Sequence, residues 1–170
     1  MNAHSTKVTT MAEAALRMGL AVVLSRIVLF RLPQDGSISL ELVPMMILAW
    51  RRGAGSGMTA GITLGILLIA LGGYVLHPLQ ALLDYPLAFA CVRLAAVGPK
   101  IAGIALAGSG HILCSTLSGV WFFSQFAPEG MNPWTYSFFY NVSVLGAKYV
   151  FCGAAALLLQ NVLEKRLSSH

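Results

Sequence analysis

Asp84 is the residue whose type and position most clearly indicate a binding function. It lies in the stretch QALLDYPLAF, inside an apolar run long enough to cross a bilayer. An aspartate at the centre of such a helix costs roughly 2.5 to 3.5 kcal/mol. A lysine on a neighbouring helix, a water-filled cavity or a bound cation would offset this cost, so Asp84 predicts one of these three.

Polar and aromatic residues of three apolar segments are candidates to surround Asp84. They form the groups Gln80, Asp84 and Tyr85; His111, Ser115 and Ser118; and Tyr136, Tyr140 and Asn141. Gln80 and Asp84, at i and i+4, share a helix face that must point into a bundle, because lipid does not tolerate it. Together the groups would suit a flat, hydrogen-bonding organic cation. Alternatively, they hydrogen-bond to one another between helices.

The composition indicates a membrane protein. Of the 170 residues 57% are hydrophobic and only 10% are charged, and apolar stretches recur without the alternation of barrel strands. The net charge of +5 comes from residues spread along the chain, which argues against nucleic-acid binding. The cysteines Cys91, Cys114 and Cys152 lie within apolar segments, which favours buried thiols over disulfides.

The pattern predicts an all-α integral membrane protein with one transmembrane domain covering residues 1–170. Pro/Gly-rich turns divide it into six transmembrane helices, at about 10–30, 38–50, 56–76, 78–97, 99–124 and 134–163. The second helix is short, so it either reaches only part way across or begins in a loop that dips into the membrane.

The loop charges predict the orientation. Lys7, Lys100, the pair Arg51–Arg52 and the pair Lys165–Arg166 lie at one set of helix ends, whereas the opposite set carries only Arg31. By the positive-inside rule both termini are cytoplasmic, as in a multi-pass protein of the cell membrane. Glu13 and Arg17 interrupt the first apolar segment, so it is not a cleavable signal peptide.

Two further charged residues have alternative interpretations. Glu41, near the start of the second helix, is predicted either to favour the helix dipole or to contact a ligand. Lys148 is predicted to extend to the cytoplasmic interface, about 22 Å along the last helix and too deep to meet Asp84. Ala15 and Gly19 form a small-xxx-small pair that allows another helix to approach.

Several functions are not supported by the residues. GAGSGMT, at 53–59, lacks the lysine and the preceding strand of a phosphate-binding loop. Ser115 and His111 lack a third group to orient the histidine, which argues against a hydrolase. No cofactor or metal site is predicted. A solitary ion-coupled transporter stays an alternative, although neither an inverted repeat nor a second acid placed for a proton relay is evident.

Three strings carry a family resemblance: DGSISLELVPMMILAWRRGAGSGMTAG, GYVLHPLQALLDYPLAFA and LSGVWFFSQFAPEGMNPWTYSFFYN. Together they resemble the thiamine-specific substrate-binding (S) component of energy-coupling-factor (ECF) vitamin transporters. The resemblance implies a bundle of six transmembrane helices that holds the vitamin in its outer half. It also implies that the chain has no ATPase of its own and docks on a membrane scaffold protein with two cytoplasmic ATPases.

The resemblance also assigns roles to individual residues. Asp84 matches an acidic residue that faces thiamine, with Tyr85 beside it, and Tyr136, Asn141 and Tyr74 match contacts of the ligand. We expect Asp84 to neutralise the cationic ring, Tyr136 and Asn141 to hydrogen-bond the pyrimidine, and Phe123 with Tyr85 to form aromatic walls. Ala15 and Gly19 match the motif that meets the scaffold.

The chain departs from the family pattern at four places. Ser115 replaces a histidine, Phe123 replaces a stacking tryptophan, His111 stands where some members have arginine, and the loop between Phe30 and Trp50 has no aromatic residue. Each lost ring removes about 0.5 to 2 kcal/mol of cation–π or stacking energy. We therefore predict a high-affinity binding subunit for thiamine uptake, with a thiamine precursor or another small heteroaromatic vitamin as the alternative ligand.

Overall fold

The structure, a computed structural model, describes residues 3–31 and 36–168 and is built mainly from helices. The helices are α1 (Ala3–Arg26), α2 (Leu42–Ala70), α3 (Pro78–Ala96), α4 (Lys100–Phe122) and α5 (Pro133–Ser168). Two short strands, β1 (Val28–Arg31) and β2 (Ser37–Ser39), lie between α1 and α2. Five helices are long and apolar enough to cross a membrane, so the protein is a multi-pass membrane protein.

The fold is predominantly helical, as predicted, but the two short strands correct the bounds of the first two predicted helices. The helix predicted at 10–30 ends at Arg26, and the helix predicted at 38–50 begins only at Leu42. The intervening chain is extended instead, and β1 pairs with β2 in antiparallel register, with Phe30 opposite Ile38. Ladder hydrogen bonds satisfy the backbone groups of this hairpin where it is buried in the bundle. By contrast, α3 and α4 agree closely with the predicted helices 78–97 and 99–124.

Helix α2 reverses direction at Gly53. This residue has φ 84° and ψ 172°, which is outside the helical region and which glycine adopts without strain. A Cβ placed on Gly57 would lie 2.8 Å from the Cβ of Ala49, whereas in a straight helix these positions are about 12 Å apart. The two arms of α2, residues 42–52 and 54–70, therefore run back alongside each other, as the predicted turn in RRGAGSG requires.

The first arm of α2 lies at the centre of the bundle. Every residue from Leu42 to Ala49 is buried, so this arm is covered on all sides. The hairpin that precedes it also enters the bundle, because the Cys152 thiol donates a hydrogen bond of 3.3 Å to the Ser39 carbonyl oxygen. Cys152 lies about 28 Å along α5 from its first residue. Whether this segment dips into the membrane or the short helix reaches only part way across it stays a prediction.

The second arm of α2 packs directly against the backbone of α3. A Cβ on Gly65 would lie 2.6 Å from the carbonyl carbon of Tyr85 and 2.7 Å from the nitrogen of Pro86, so only glycine allows this approach. The contact falls on a π-helical turn at Leu83–Leu87. Pro86 has no backbone N–H to continue an α-helical ladder, which favours the wider turn. Asp84 lies within this turn.

Candidate functional site

A cavity of about 660 Å³ lies between the hairpin, the end of α2 and helices α3, α4 and α5. This volume is within the range of small-molecule sites. Nine of the ten predicted substrate-binding residues line it: Glu41, Tyr74, Gln80, Asp84, Tyr85, His111, Ser115, Phe123 and Asn141. The fold thus brings together residues that the sequence distributes over five segments.

Asp84 is held in the cavity wall by two neutral donors. The Gln80 amide donates to Oδ2 at 2.8 Å from one helical turn before, and the Ser118 hydroxyl donates to the same oxygen at 2.7 Å from α4. Gln80 and Ser118 are themselves buried. Among the residues whose side chains the structure describes, 8–30 and 36–166, no lysine or arginine forms an ion pair with Asp84. Its charge therefore faces the cavity without a resident counter-ion.

Aromatic rings form one side of the cavity. The rings of Tyr74 and Phe123 lie 6.1 Å apart, and the Tyr85 hydroxyl donates to the Tyr74 carbonyl oxygen at 3.4 Å. Asn141, from α5, donates to the Ser137 carbonyl oxygen at 2.9 Å, which leaves its amide oxygen available at the wall. These groups can stack on a flat ring and hydrogen-bond to its edge.

Tyr136 is the predicted site residue that does not line the cavity. Its ring lies 6.2 Å from the ring of Tyr140 in a stacked arrangement, and Tyr140 is the tyrosine of α5 that lines the cavity. The two residues are one turn apart, so the spacing in the sequence did not distinguish them. A ligand role for Tyr136 stays a prediction.

Lys148 corrects a further prediction, and Glu41 is its partner, whose role as a ligand contact stays a prediction. The Glu41 side chain makes no capping hydrogen bond to α2 and is 2% exposed. Lys148 is 7% exposed and does not extend to the interface, because its ammonium forms an ion pair of 2.5 Å with Glu41. The Ser39 hydroxyl donates to the second oxygen of Glu41. Both charged residues line the cavity. Lys148 was not predicted as a cavity residue, although it lies two turns beyond Asn141 on the same face of α5.

Arg26 was also missed as a cavity residue. It is the last residue of α1, and its guanidinium donates to the Leu71 carbonyl oxygen at 2.6 Å, beyond the C-terminal end of α2. A cation at a helix C-terminus is favourable for the helix dipole, and this pattern could have been recognised in the sequence. Arg26 ties α1 to α2 beside the cavity.

The remaining candidates lie apart from any catalytic arrangement. The His111 ring contacts the Tyr149 hydroxyl at 3.3 Å, and no hydrogen bond joins His111 to Ser115 in the described ranges. The described residues contain no cluster of three potential metal ligands. Ala15 and Gly19 are exposed on α1, and a Cβ on Gly19 would meet nothing within 4 Å. This surface is open to another helix or to lipid.

Fold and site together define a multi-pass membrane protein with a partly open cavity of small-molecule size, lined by both polar and apolar groups. Residues 11–168 match the family profile of the thiamine transporter protein family, Thia_YuaJ. The chain therefore belongs to this family of transporters, which are not enzymes.

Individual relatives agree with the family match. The chain is 30% identical to thiamine transporter ThiT of Bacillus subtilis (strain 168), over 98% of this chain and 97% of that protein. It is 32% identical to thiamine transporter ThiT of Lacticaseibacillus paracasei, over 72% of this chain and 70% of that protein. A solved structure of ThiT from Listeria monocytogenes has the same fold, with a TM-score of 0.78 and 24% identity over 95% of this chain and 96% of that chain.

Proposed function

We propose that this protein is a thiamine-binding S component that delivers the vitamin for ATP-driven import. The observation that carries the proposal is Asp84, whose carboxylate lines an internal cavity and has only neutral hydrogen-bond donors. A desolvated carboxylate binds an organic cation strongly, and thiamine carries a permanent positive charge on its thiazolium ring. Membership of the thiamine transporter family supports the same ligand.

The ligand contacts follow from the lining of the cavity. Asp84 neutralises the thiazolium ring, Phe123 and Tyr85 provide aromatic walls, and Asn141 hydrogen-bonds the pyrimidine. Tyr140 completes the wall that Tyr136 supports through ring stacking. Gln80 and Ser118 orient the Asp84 carboxylate, so that its charge is fixed before the ligand arrives.

The proposed transport complex requires partners. We infer six membrane-embedded helical segments, because the reversal at Gly53 divides α2 into two arms, of which the first reaches only part way across. We also infer cytoplasmic termini, because the basic residues collect at the helix ends on the side of the termini. The exposed Ala15–Gly19 face of α1 docks on an ECF scaffold protein, which carries the two ATPases. Uptake in cells that lack these ATPases tests this step, since persistent uptake would point to a solitary ion-coupled transporter.

Titration of the purified protein with thiamine, followed by tryptophan fluorescence, tests the ligand. Wild-type protein should bind thiamine, and Asp84→Asn should weaken binding by about 2 to 5 kcal/mol because one partner of a desolvated charge pair is lost. The matched control is an acid outside the cavity lining. Glu129 meets this requirement, so Glu129→Gln should bind thiamine as the wild type does. Asp35 is not used, because it lies outside the described residues. Equal affinity of wild type and Asp84→Asn would refute the ion-pair role.

A thiamine precursor or another heteroaromatic vitamin is the second candidate ligand. Ser115 and Phe123 favour it, because both line the cavity where the family resemblance implies larger rings. Mass spectrometry of the small molecule that co-purifies with the protein, followed by competition with thiamine, distinguishes the candidates. Displacement by a precursor at lower concentration than by thiamine would establish the alternative.

A further inference from the structure

Glu41 and Lys148 form an ion pair that lines the cavity and has no role in the proposed binding of a cation by Asp84. We propose that Glu41, Lys148 and Ser39 form a second subsite, here called the inner subsite, which binds the free hydroxyl group of the substrate and disfavours its phosphate ester. The inference rests on the proposed binding of thiamine, which bears a hydroxyethyl group on its cationic ring.

The inner subsite lies at a different level of the cavity from Asp84. Asp84 hydrogen-bonds to Ser118 on α4, whereas His111, seven residues earlier on the same helix, lines the cavity beside Tyr149. Seven residues of helix correspond to about 10 Å. On α5, Asn141 and Lys148 are separated by the same interval and both line the cavity. The cavity therefore has an outer level at Asp84 and an inner level at Lys148.

The inner subsite has unused hydrogen-bonding capacity. An ammonium has three N–H donors, and in the described part of the chain Glu41 is the only hydrogen-bond or ion-pair partner of Lys148. The two carboxylate oxygens of Glu41 have four lone pairs, and Lys148, Ser39 and the Glu41 backbone N–H account for three of them. The subsite thus offers a donor and an acceptor side by side.

A hydroxyl group fits this arrangement because it accepts one hydrogen bond and donates another. The substrate oxygen would accept from Lys148, and its proton would be donated to Glu41. A ring held at Asp84 would direct a two-carbon arm along the cavity toward the inner level. Hydrogen bonds to charged groups are the stronger ones, so the hydroxyl should contribute substantially to affinity.

The charges of the inner subsite also oppose a phosphate ester. A phosphate monoester carries about −1.5 to −2 charges at pH 7. Lys148 is already neutralised by Glu41, and the carboxylate would lie against the phosphate with like charge. Glu41 therefore acts as a specificity residue that favours the neutral alcohol.

The test is a cycle of two ligands and two proteins. The ligands are thiamine and an analogue in which ethyl replaces hydroxyethyl; the proteins are wild type and the double variant Glu41→Leu/Lys148→Met. Replacing both members of a buried ion pair by apolar residues of similar volume is tolerated, unlike removal of one. Wild type should prefer thiamine by about 10- to 100-fold, and the double variant should bind the two ligands equally.

The control is Lys100→Met/Glu164→Leu, which removes an ion pair of 3.0 Å outside the cavity and should keep the wild-type preference. Equal binding of thiamine and the ethyl analogue by wild type would overturn the inference even if the double variant does not fold. So would an undiminished preference in a folded double variant. Failure of wild type to bind thiamine at all would instead overturn the proposed function.

Thiamine monophosphate gives a second, independent measurement. In Glu41→Gln the carboxylate is lost and Lys148 keeps its charge, so the preference for thiamine over the monophosphate should fall at least about tenfold. An unchanged preference in this variant would show that Glu41 does not set the specificity.

Discussion

The cavity contains two carboxylates whose charges are compensated in opposite ways. Glu41 has a resident cation, since Lys148 lies 2.5 Å away and both residues are almost fully buried. Asp84 has only neutral hydrogen-bond donors among the residues whose side chains are described, namely Gln80, Ser118 and Ser115. The first charge is satisfied by a cation of the protein itself, whereas the second has no such cation, and we propose that a ligand supplies it. Burial of an acid therefore does not identify a binding site until its partners are known.

The largest expected effect is the loss of the resident cation. Lys148→Met leaves Glu41 charged and unpaired in the interior, which should lower the free energy of unfolding by about 3 to 5 kcal/mol. Thermal unfolding of the purified protein in detergent measures this loss. Adding Glu41→Leu to the same protein should restore most of it, and a single variant as stable as wild type would remove the contrast between the two carboxylates.

A smaller effect is expected from the backbone that positions Asp84. Gly65→Ala would press a Cβ against the backbone of Tyr85 and Pro86, so the turn that holds Asp84 should shift, at a cost of about 1 to 3 kcal/mol. Thiamine affinity should fall with it, while the Glu41–Lys148 pair stays intact. Gly55→Ala is the matched control, because a Cβ there meets nothing within 4 Å. Equal thiamine affinity of the two variants would contradict the proposed positioning.

The aromatic wall near Asp84 can be strengthened. Phe123→Trp enlarges the ring that faces a bound cation and should improve thiamine affinity by about 0.5 to 2 kcal/mol. Phe126→Trp, on a neighbouring ring outside the cavity lining, should leave affinity unchanged. Isothermal titration of both variants measures the difference, and weaker binding by Phe123→Trp would favour a ligand smaller than thiamine.

Removing the charge of Asp84 should affect stability far less than removing that of Lys148. In Asp84→Asn the amide oxygen still accepts hydrogen bonds, and no resident cation is left unpaired, so unfolding should change by about 1 kcal/mol or less. Thermal unfolding without ligand checks this. A loss comparable to that of Lys148→Met would mean that Asp84 is compensated by the protein after all.

The smallest effect is expected for an exposed ion pair. Lys100 and Glu164 lie 3.0 Å apart with side-chain exposures of 35% and 54%, so Lys100→Met should cost between about 0 and 1 kcal/mol. The same thermal-unfolding assay compares it with Lys148→Met. Similar losses in the two lysine variants would show that burial does not determine the strength of these pairs.

The sequence was sufficient to predict the features that depend on local pattern. Continuous apolar runs between Pro/Gly turns predicted α3 and α4 almost to the residue, and the i, i+4 spacing placed Gln80 beside Asp84, where the structure has a hydrogen bond. These features involve neighbours in the chain, for which helical periodicity is a direct guide.

Features that depend on distant contacts could not be predicted. Lys148 was expected at the interface because a lone lysine in an apolar helix usually extends there, and its partner Glu41 lies far away in the sequence. The strands β1 and β2 show no alternating pattern, and they form because β1 pairs with β2, whose residues Ile38 and Ser39 are buried. Tyr140 rather than Tyr136 lines the cavity because of the rotation of α5, which packing determines.

The reversal at Gly53 has a consequence for the way this chain enters the bilayer during synthesis. About 20 apolar residues are needed for a helix to span the hydrocarbon, and the arm before Gly53 is about 16 Å long, roughly half that thickness. It cannot be retained there as an independent span. The arms on either side of Gly53 must be inserted together as a pair, and a residue that hinders the reversal would be detected first as a defect in biogenesis.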